Sequence, residues 1–197
     1  MSIPLGGNAG PKIPTVKLPN VGDYVDLAII DKEQVPEKDM VTGQPKLKDN
    51  GQPKQQLRLT GFALGGTFQA TRGEDVLTAS DLTNEQVTAY LSGHKFGAWI
   101  DAEKDYGVVN VGDVVRIAFD RTQKAQTRGF HDAKIWTVEI SPAEGAALTA
   151  KCEAAHLERK ASERIPLGGG DERPPATRPP LRSVPTGAAA NEDLAPF

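Results

Sequence analysis

The chain has 197 residues, of which 38% are hydrophobic and 25% are charged, and its net charge is −3. That length leaves room for one domain core, since domains commonly hold about 100–200 residues. The acidic balance excludes a protein that is basic over its whole surface, so a phosphate-binding surface would have to be a local cluster of cations. No apolar run approaches the roughly 18 residues of a membrane span, which predicts a cytoplasmic protein without a membrane partner.

Residues that form disulfides or bind metals are few. Cys152 is the only cysteine, and the three histidines are far apart in the sequence. A single cysteine forms no internal disulfide, and this spacing fits no zinc motif. The glycine-rich motifs that cradle phosphates in nucleotide-binding enzymes do not occur either. We therefore expect no metal and no other cofactor.

Prolines and aromatic residues divide the chain into regions. Seven of the 15 prolines lie in 165–197 and four in 1–20, whereas ten of the eleven aromatic residues lie between Tyr24 and Trp136. Segments that are rich in proline and poor in aromatic residues bury too little apolar surface to fold. The predicted organisation is a flexible arm at 1–20, a folded domain at 21–141, a helix at 142–164, a Pro/Gly-rich linker at 165–190 and an acidic tip at 191–197.

Alternating apolar and polar residues predict five strands in the folded domain. In the first of them, Val25, Leu27 and Ile29 share one face, as expected of a half-buried strand. A polar loop at 36–53, followed by the second strand, contains the sequence GQP in two copies, each preceding a lysine. The predicted strands are 24–30, 55–62, one of 67–71 or 75–78, 114–120 and 130–140.

Helix-start patterns occur twice. The sequence TNEQ at 83–86 has the spacing of a capping box, which predicts a helix over 84–92. The sequence SPAE at 141–144 has a capping serine, a proline at the first helical position and an acid in the first turn. It predicts that 142–164 is a helix, whose thin apolar stripe would dock weakly. The segment 96–105 is compatible with either a helix or a strand.

The order of these elements predicts the fold class. Three strands, a helix and a final hairpin follow one another, which is the order of the OB-fold. This fold is an all-β, five-stranded Greek-key barrel whose loops bind oligonucleotides. The sequence therefore predicts an OB-type β-barrel with one or two short helices.

Cations are concentrated where such a barrel would bind nucleic acid. They lie in the first loop, on the second and fourth strands and around the last hairpin. Single-strand binding also needs aromatic platforms on which bases stack. Phe62 shares a polar face with Arg58, whereas Trp136 is in register with Val138 and Ile140, which favours a core position. The predicted DNA-binding residues are Lys46, Lys48, Lys54, Arg58, Phe62, Arg116, Arg121, Lys124, Arg128, Phe130, Lys134 and Trp136.

The last six residues, EDLAPF, place acids before a terminal Pro-Phe. This ending resembles the C-terminal tip of bacterial single-stranded DNA-binding proteins, although the usual run of acids is shorter here. The loop at 42–54 and the ending at 129–140 look like the small OB-type proteins of actinobacteria and their phages. The resemblance implies binding of single-stranded DNA during replication, recombination or repair, in the host cytoplasm if the chain is phage-encoded. It also implies recruitment of replication or repair proteins through Glu192, Asp193, Pro196 and Phe197.

Two alternatives stay open, and neither the oligomeric state nor a preference for DNA over RNA follows from the sequence. The chain could be a structural protein, such as a virion component, that uses a small β-barrel for assembly. It could also be a metal-dependent nuclease, if Asp101, Glu103 and Asp105 share one face of a strand and bind Mg²⁺. Solvated surface acids are the simpler explanation of these three residues, so we expect a non-enzymatic protein, and the sequence is compatible with a homo-oligomer.

Overall fold

The computed structural model describes residues 12–39, 41–125 and 132–164. Strands dominate this part of the chain, with two helices, α1 (His94–Tyr106) and α2 (Ala146–Arg164), and a 3₁₀ turn at Ala79–Leu82. The strands are β1 (Thr15–Lys17), β2 (Tyr24–Pro36), β3 (Gln55–Thr67), β4 (Gln69–Arg72), β5 (Asp75–Thr78), β6 (Gln86–Leu91), β7 (Val114–Gln123) and β8 (Ala133–Ser141).

All eight strands belong to one open sheet in the order β5-β4-β1-β6-β3-β2-β7-β8. Neighbouring strands are antiparallel, except that β1 pairs in parallel with β6. The prediction of a mainly β protein is confirmed. The described residues form eight strands where five were predicted, and β1 lies within the segment that was predicted to be a flexible arm.

The predicted helix over 84–92 is wrong, because Gln86–Leu91 forms β6. Val87, Ala89 and Leu91 alternate with more polar residues and are buried in the core. A two-residue period is typical of a strand, and β6 pairs with β3 in the sheet. The helix of this region is α1, which begins later, at His94. The segment 96–105, for which the sequence allowed a helix or a strand, is therefore helical.

The main core lies on one face of the long strands. Leu27, Leu59 and Ile117 are at most 2% exposed on this face, and Trp99 of α1 packs against it at 1% exposure. β2 carries register shifts at Asp26/Leu27 and between Ile29 and Asp31. Such bulges bend a strand and increase its twist. β2 pairs with β3 along its whole length and with β7 along its N-terminal part.

The opposite face of the sheet is covered in part by α2. Cys152 and Ala155 pack on Ala28, Ile30 and Phe62 in a second, smaller apolar cluster. The apolar contact is as thin as the sequence predicts, and α2 begins at Ala146, later than the predicted start.

Polar contacts fix α2 to β2 and β3. His156 Nδ1 donates a hydrogen bond of 2.8 Å to the carbonyl oxygen of Ile30, at the second bulge of β2. Arg159 lies 3.2 Å from the buried carboxylate of Asp31 and donates to the hydroxyl of Thr60. A helix with a narrow apolar stripe is therefore held by one backbone carbonyl and an ion pair.

Candidate nucleic-acid interface

The segment 37–54 forms a basic arm that extends β2 and β3. Main-chain hydrogen bonds cross it, including Lys46 N to the Glu37 carbonyl and Lys54 N to the Lys46 carbonyl, both at 2.7 Å. Gly43 and Gly51 have positive φ angles of 69° and 78°, a backbone conformation that glycine adopts without strain. The predicted loop is thus an ordered hairpin extension in its described residues.

All four lysines of the arm are exposed: Lys38, Lys46, Lys48 and Lys54. Lys46 donates to a Glu37 carboxylate oxygen at 2.6 Å, and this hydrogen bond raises the pKa of Lys46. Within the described ranges, no carboxylate oxygen lies within 4.0 Å of the ammonium groups of Lys48 and Lys54. The arm carries four lysines and three acids, a net charge of +1, and Lys48 and Lys54 lie outside the ion pairs of its described residues.

A groove of about 390 Å³ lies at the base of this basic arm. Arg58 of β3 and Tyr90 of β6 are paired in register and line it together. Arg58 forms an ion pair with Glu33, and its Nε is buried without a hydrogen-bond partner. The remaining lining residues of the groove are Val35, Pro36, Lys38 and Gln56.

Tyr90 was not predicted as a site residue because β6 was read as a helix. Once Val87, Ala89 and Leu91 are assigned to the core face of a strand, the alternation puts Tyr90 on the other face. The two-residue alternation at 87–91 therefore contained the information that places Tyr90 on the face opposite to the core. The groove combines an aromatic ring with cations, as single-strand binding sites do.

Arg116 lies apart from this groove, on β7. Its guanidinium makes two hydrogen bonds to the Asp26 carboxylate, of 2.7 and 2.9 Å, and lies 4.9 Å from the centre of the Tyr24 ring. The hydrogen bonds and the charge of Asp26 raise the pKa of Arg116. Arg116 lines a surface pocket together with Asp26, Glu139 and Glu144, so its surroundings are acidic. The structure gives Arg116, whose side chain is 50% exposed, a cross-strand carboxylate partner in Asp26.

The remaining predicted cations in the described region lie at β7 and β8. Arg121 is exposed and 3.5 Å from Asp120, Lys124 is exposed, and Lys134 Nζ lies 5.0 Å from the centre of the Phe119 ring. Because β7 runs antiparallel to β2, this hairpin extends from the end of β2 opposite to the basic arm. The predicted cations therefore form two separate groups. Arg128, Phe130 and the tip residues Glu192, Asp193, Pro196 and Phe197 lie outside the described residues.

The prediction that Phe62 faces solvent on a polar surface is wrong. Phe62 is 7% exposed beneath α2, and Lys151 Nζ lies 4.0 Å from the centre of its ring. The alternation of β3 was read correctly, with Arg58, Thr60 and Phe62 on one face. Because α2 covers that face from Thr60 onward, a ring in this position has no free side on which a base could stack.

Trp136 packs against the main core, as its register with Val138 and Ile140 favours. Its ring stacks on Phe119 with centroids 4.8 Å apart and an interplanar angle of 23°. Lys95, at the start of α1, lies 4.6 Å from the centre of the Trp136 ring. Lys95 was not among the predicted site residues.

The three acids of the nuclease alternative lie on α1, a helix, and not on a strand. Glu103 accepts a hydrogen bond of 2.9 Å from Trp99 Nε1 and forms an ion pair with Lys32. Residues two apart on a helix do not face each other, so Asp101, Glu103 and Asp105 lack the shared face that this alternative requires. The part of the chain described by the structure contains no group of three or more potential metal ligands.

Comparisons of the chain with protein families, with curated proteins and with solved structures find no match. The resemblance of the C-terminal tip therefore stays a prediction. Neither helix in the described ranges is long and apolar enough to cross a membrane.

Proposed function

We propose that the chain binds single-stranded DNA without sequence specificity, through the groove between Arg58 and Tyr90 and the basic arm above it. This proposal is based on one observation: Tyr90, Arg58 and Lys38 line the same groove, at the base of an arm with exposed lysines. Nucleic-acid sites of this kind combine phosphate neutralisation with base stacking.

The strand order supports an OB-type arrangement for the five strands β2, β3, β6, β7 and β8. In the sheet, these five strands lie side by side in the order β6-β3-β2-β7-β8. If they are numbered 1 to 5 along the chain, this order is 3-2-1-4-5, and α1 follows strand 3 in the sequence. The sequence predicts a helix in the same place in this order, although its third strand and its helix were assigned to other residues. In this interpretation β1, β4 and β5 are additions beside the third strand, and the groove lies on the strands that bind oligonucleotides in the OB-fold.

The proposed mechanism assigns a different task to each side chain. Lys48 and Lys54 neutralise phosphates, and the ring of Tyr90 stacks on a base. Arg58 exchanges Glu33 for a phosphate, which costs little because an exposed ion pair contributes only about 0–1 kcal/mol and Glu33 is 46% exposed. Binding is then tolerant of sequence and weakens with salt.

Fluorescence anisotropy of a labelled oligothymidine, measured at two salt concentrations, tests this proposal. We expect Tyr90→Ala to weaken binding by about 1–3 kcal/mol, since stacking of one base contributes that much. Arg58→Ala should weaken binding and reduce the salt dependence. Arg72→Ala is the matched control, because Arg72 is an exposed arginine on β4, which β1 separates from the groove strand β6.

Equal affinities for the wild type, Tyr90→Ala and Arg58→Ala would contradict the proposed site. No binding of single-stranded DNA by the wild type at low salt would contradict the proposed function and favour the structural-protein alternative. Duplex DNA, titrated in parallel, measures the preference for single strands.

We further propose that the C-terminal tip recruits replication or repair proteins. The support is the sequence alone: acids precede a terminal Pro-Phe after a predicted linker. An aromatic side chain in a partner's pocket, with acids against basic residues at its rim, is a known mode of peptide recognition.

A further inference from the structure

Two lysines lie against one stacked aromatic pair at the end of the sheet opposite to the basic arm. Lys95 Nζ is 4.6 Å from the centre of the Trp136 ring, and Lys134 Nζ is 5.0 Å from the centre of the Phe119 ring. The two rings are stacked 4.8 Å apart. Three elements, α1, β7 and β8, bring these four side chains together.

These two positive charges have no acidic partner in the described part of the chain. No carboxylate oxygen there lies within 4.0 Å of either ammonium group. Partial burial and the charge of Lys134 both lower the pKa of Lys95. The first turn of α1 also carries no acid and no side-chain cap, so the positive end of the helix dipole adds to the local potential.

The aromatic rings explain how the lysines are held without acids. A cation is attracted to the face of an aromatic ring, and this attraction leaves its charge uncancelled. The charge of Lys134 lowers the pKa of Lys95, so the two ammonium groups repel each other, and an anion bound at both of them offsets that repulsion. A multiply charged anion fits such a pair better than a single carboxylate does.

We propose that Lys95 and Lys134, held on the Phe119–Trp136 pair, form a phosphate-binding site that contacts a second part of a bound nucleic-acid strand. The proposal rests on the proposed function and extends it, because it adds a contact at the other end of β2 from the groove. A strand that reaches both places is held at two points, whereas a short oligonucleotide reaches one. Because Lys95 is a residue of α1, this helix is also part of the proposed interface.

Tripolyphosphate is the probe for the site itself, and Trp136 is its reporter. Trp99, the other tryptophan, is 1% exposed and donates a hydrogen bond to Glu103. Because it is shielded from added ligands, a fluorescence change on titration reports mainly Trp136. We expect tripolyphosphate to change the emission of the wild type. Lys95→Gln and Lys134→Gln should each weaken this binding about five- to tenfold, since each removes one of two charges.

Lys104→Gln is the matched control, because Lys104 is an exposed lysine in the last turn of α1. Far-UV circular dichroism and thermal melting establish that all variants fold. No response of the wild type to tripolyphosphate, or an equal response of Lys95→Gln and the wild type, overturns the proposal. A peptide of residues 188–197 that binds this site more tightly than tripolyphosphate also overturns it, in favour of an acidic protein ligand.

Oligothymidines of two lengths connect the site to DNA binding. With a strand much longer than the about 4–16 nucleotides that one OB-type domain covers, Lys95→Gln should lower the salt slope by about 0.7, because the variant neutralises one phosphate fewer. With about four nucleotides, the lower end of that range, the strand is too short to occupy both places, and Lys95→Gln should bind as the wild type does.

The two proposals fail in different ways. If the wild type binds tripolyphosphate through Lys95 but binds no DNA, the phosphate site stands and the proposed function fails. If Tyr90→Ala abolishes DNA binding while Lys95→Gln keeps full affinity for the long strand, the function stands and the second contact fails.

Discussion

At the scale of single residues, Gly61 marks a place where β2 and β3 approach each other closely. It pairs with Ile29 beside the second bulge of β2. A Cβ atom at this position would lie 2.5 Å from the backbone carbonyl oxygen of Ala28. No side chain can move away to relieve this contact, because the opposing atom belongs to the main chain.

Gly61→Ala is expected to lower the free energy of unfolding by about 1–3 kcal/mol, the usual cost of overpacking a core. Urea unfolding measures this change. The matched control is Gly97→Ala in α1, where a Cβ meets open space. Alanine in a helix interior is favoured over glycine by about 0.5–1 kcal/mol, so this control should stabilise the protein. Equal effects of the two substitutions would contradict the argument.

At the scale of elements, α2 depends on charge more than on apolar area. Asp31 is 8% exposed and lies 3.2 Å from Arg159 and 3.8 Å from Lys160. The two cations also contact Glu163, at the exposed side of the helix. The carboxylate of Asp31 is therefore the part of this network that belongs to the sheet.

Asp31→Asn keeps the volume of the side chain and removes its charge. We expect a decrease of about 1–3 kcal/mol in the free energy of unfolding, because the buried Nε of Arg159 loses its charged partner. Hydrogen exchange should accelerate at the amides of α2 more than at those of β3. Glu163→Gln removes the same charge from an exposed position and should cost less than about 1 kcal/mol. A larger loss of stability in Glu163→Gln than in Asp31→Asn would contradict the conclusion that the Asp31 carboxylate fixes α2 to the sheet.

The elements also separate what the sequence predicts from what it leaves open. The alternation of Val25, Leu27 and Ile29 predicted the core face of β2, and the same pattern at Leu57 and Leu59 predicted that of β3. The helix over 84–92 failed because a capping pattern is local, whereas β6 is stabilised by its pairing with β3. Local sequence contains no direct information about such a distant partner.

The candidate site shows the same division. The lysines of the basic arm were predicted from charge alone, because an exposed position needs no partner. Phe62 failed because α2, distant in the sequence, covers it. Tyr90 and Lys95 were missed because each depends on an element whose type was wrong or undecided. Which side chains share a surface depends on the packing of elements, and strand periodicity does not specify that packing.

At the scale of the whole molecule, the net charge of −3 averages separated regions of opposite sign. Within the described domain, one group of cations lies on the basic arm and another at the Lys95–Lys134 site, at opposite ends of β2. The predicted tip adds acids at the C-terminus. We therefore expect the tip to compete with DNA for the basic surfaces when salt is low.

Removal of residues 188–197 should raise the affinity for single-stranded DNA at low salt, and the gain should vanish as salt increases. Two variants separate the two tasks proposed for the tip. Neutralisation of Glu192 and Asp193 to Gln and Asn should reproduce the gain, whereas Phe197→Ala should leave DNA affinity unchanged and abolish capture of a partner protein. An unchanged affinity after the deletion would contradict the competition.

The only cysteine of the chain lies on α2, on the side of the helix that packs against the sheet. Cys152 is fully buried against the sheet, and this burial raises the pKa of its thiol. A protonated, covered thiol reacts slowly with disulfide reagents, since the thiolate is the nucleophile. The unmodified protein therefore contains its own chemical reporter: the labelling rate of Cys152 measures how often α2 leaves the sheet, with DNA bound or absent.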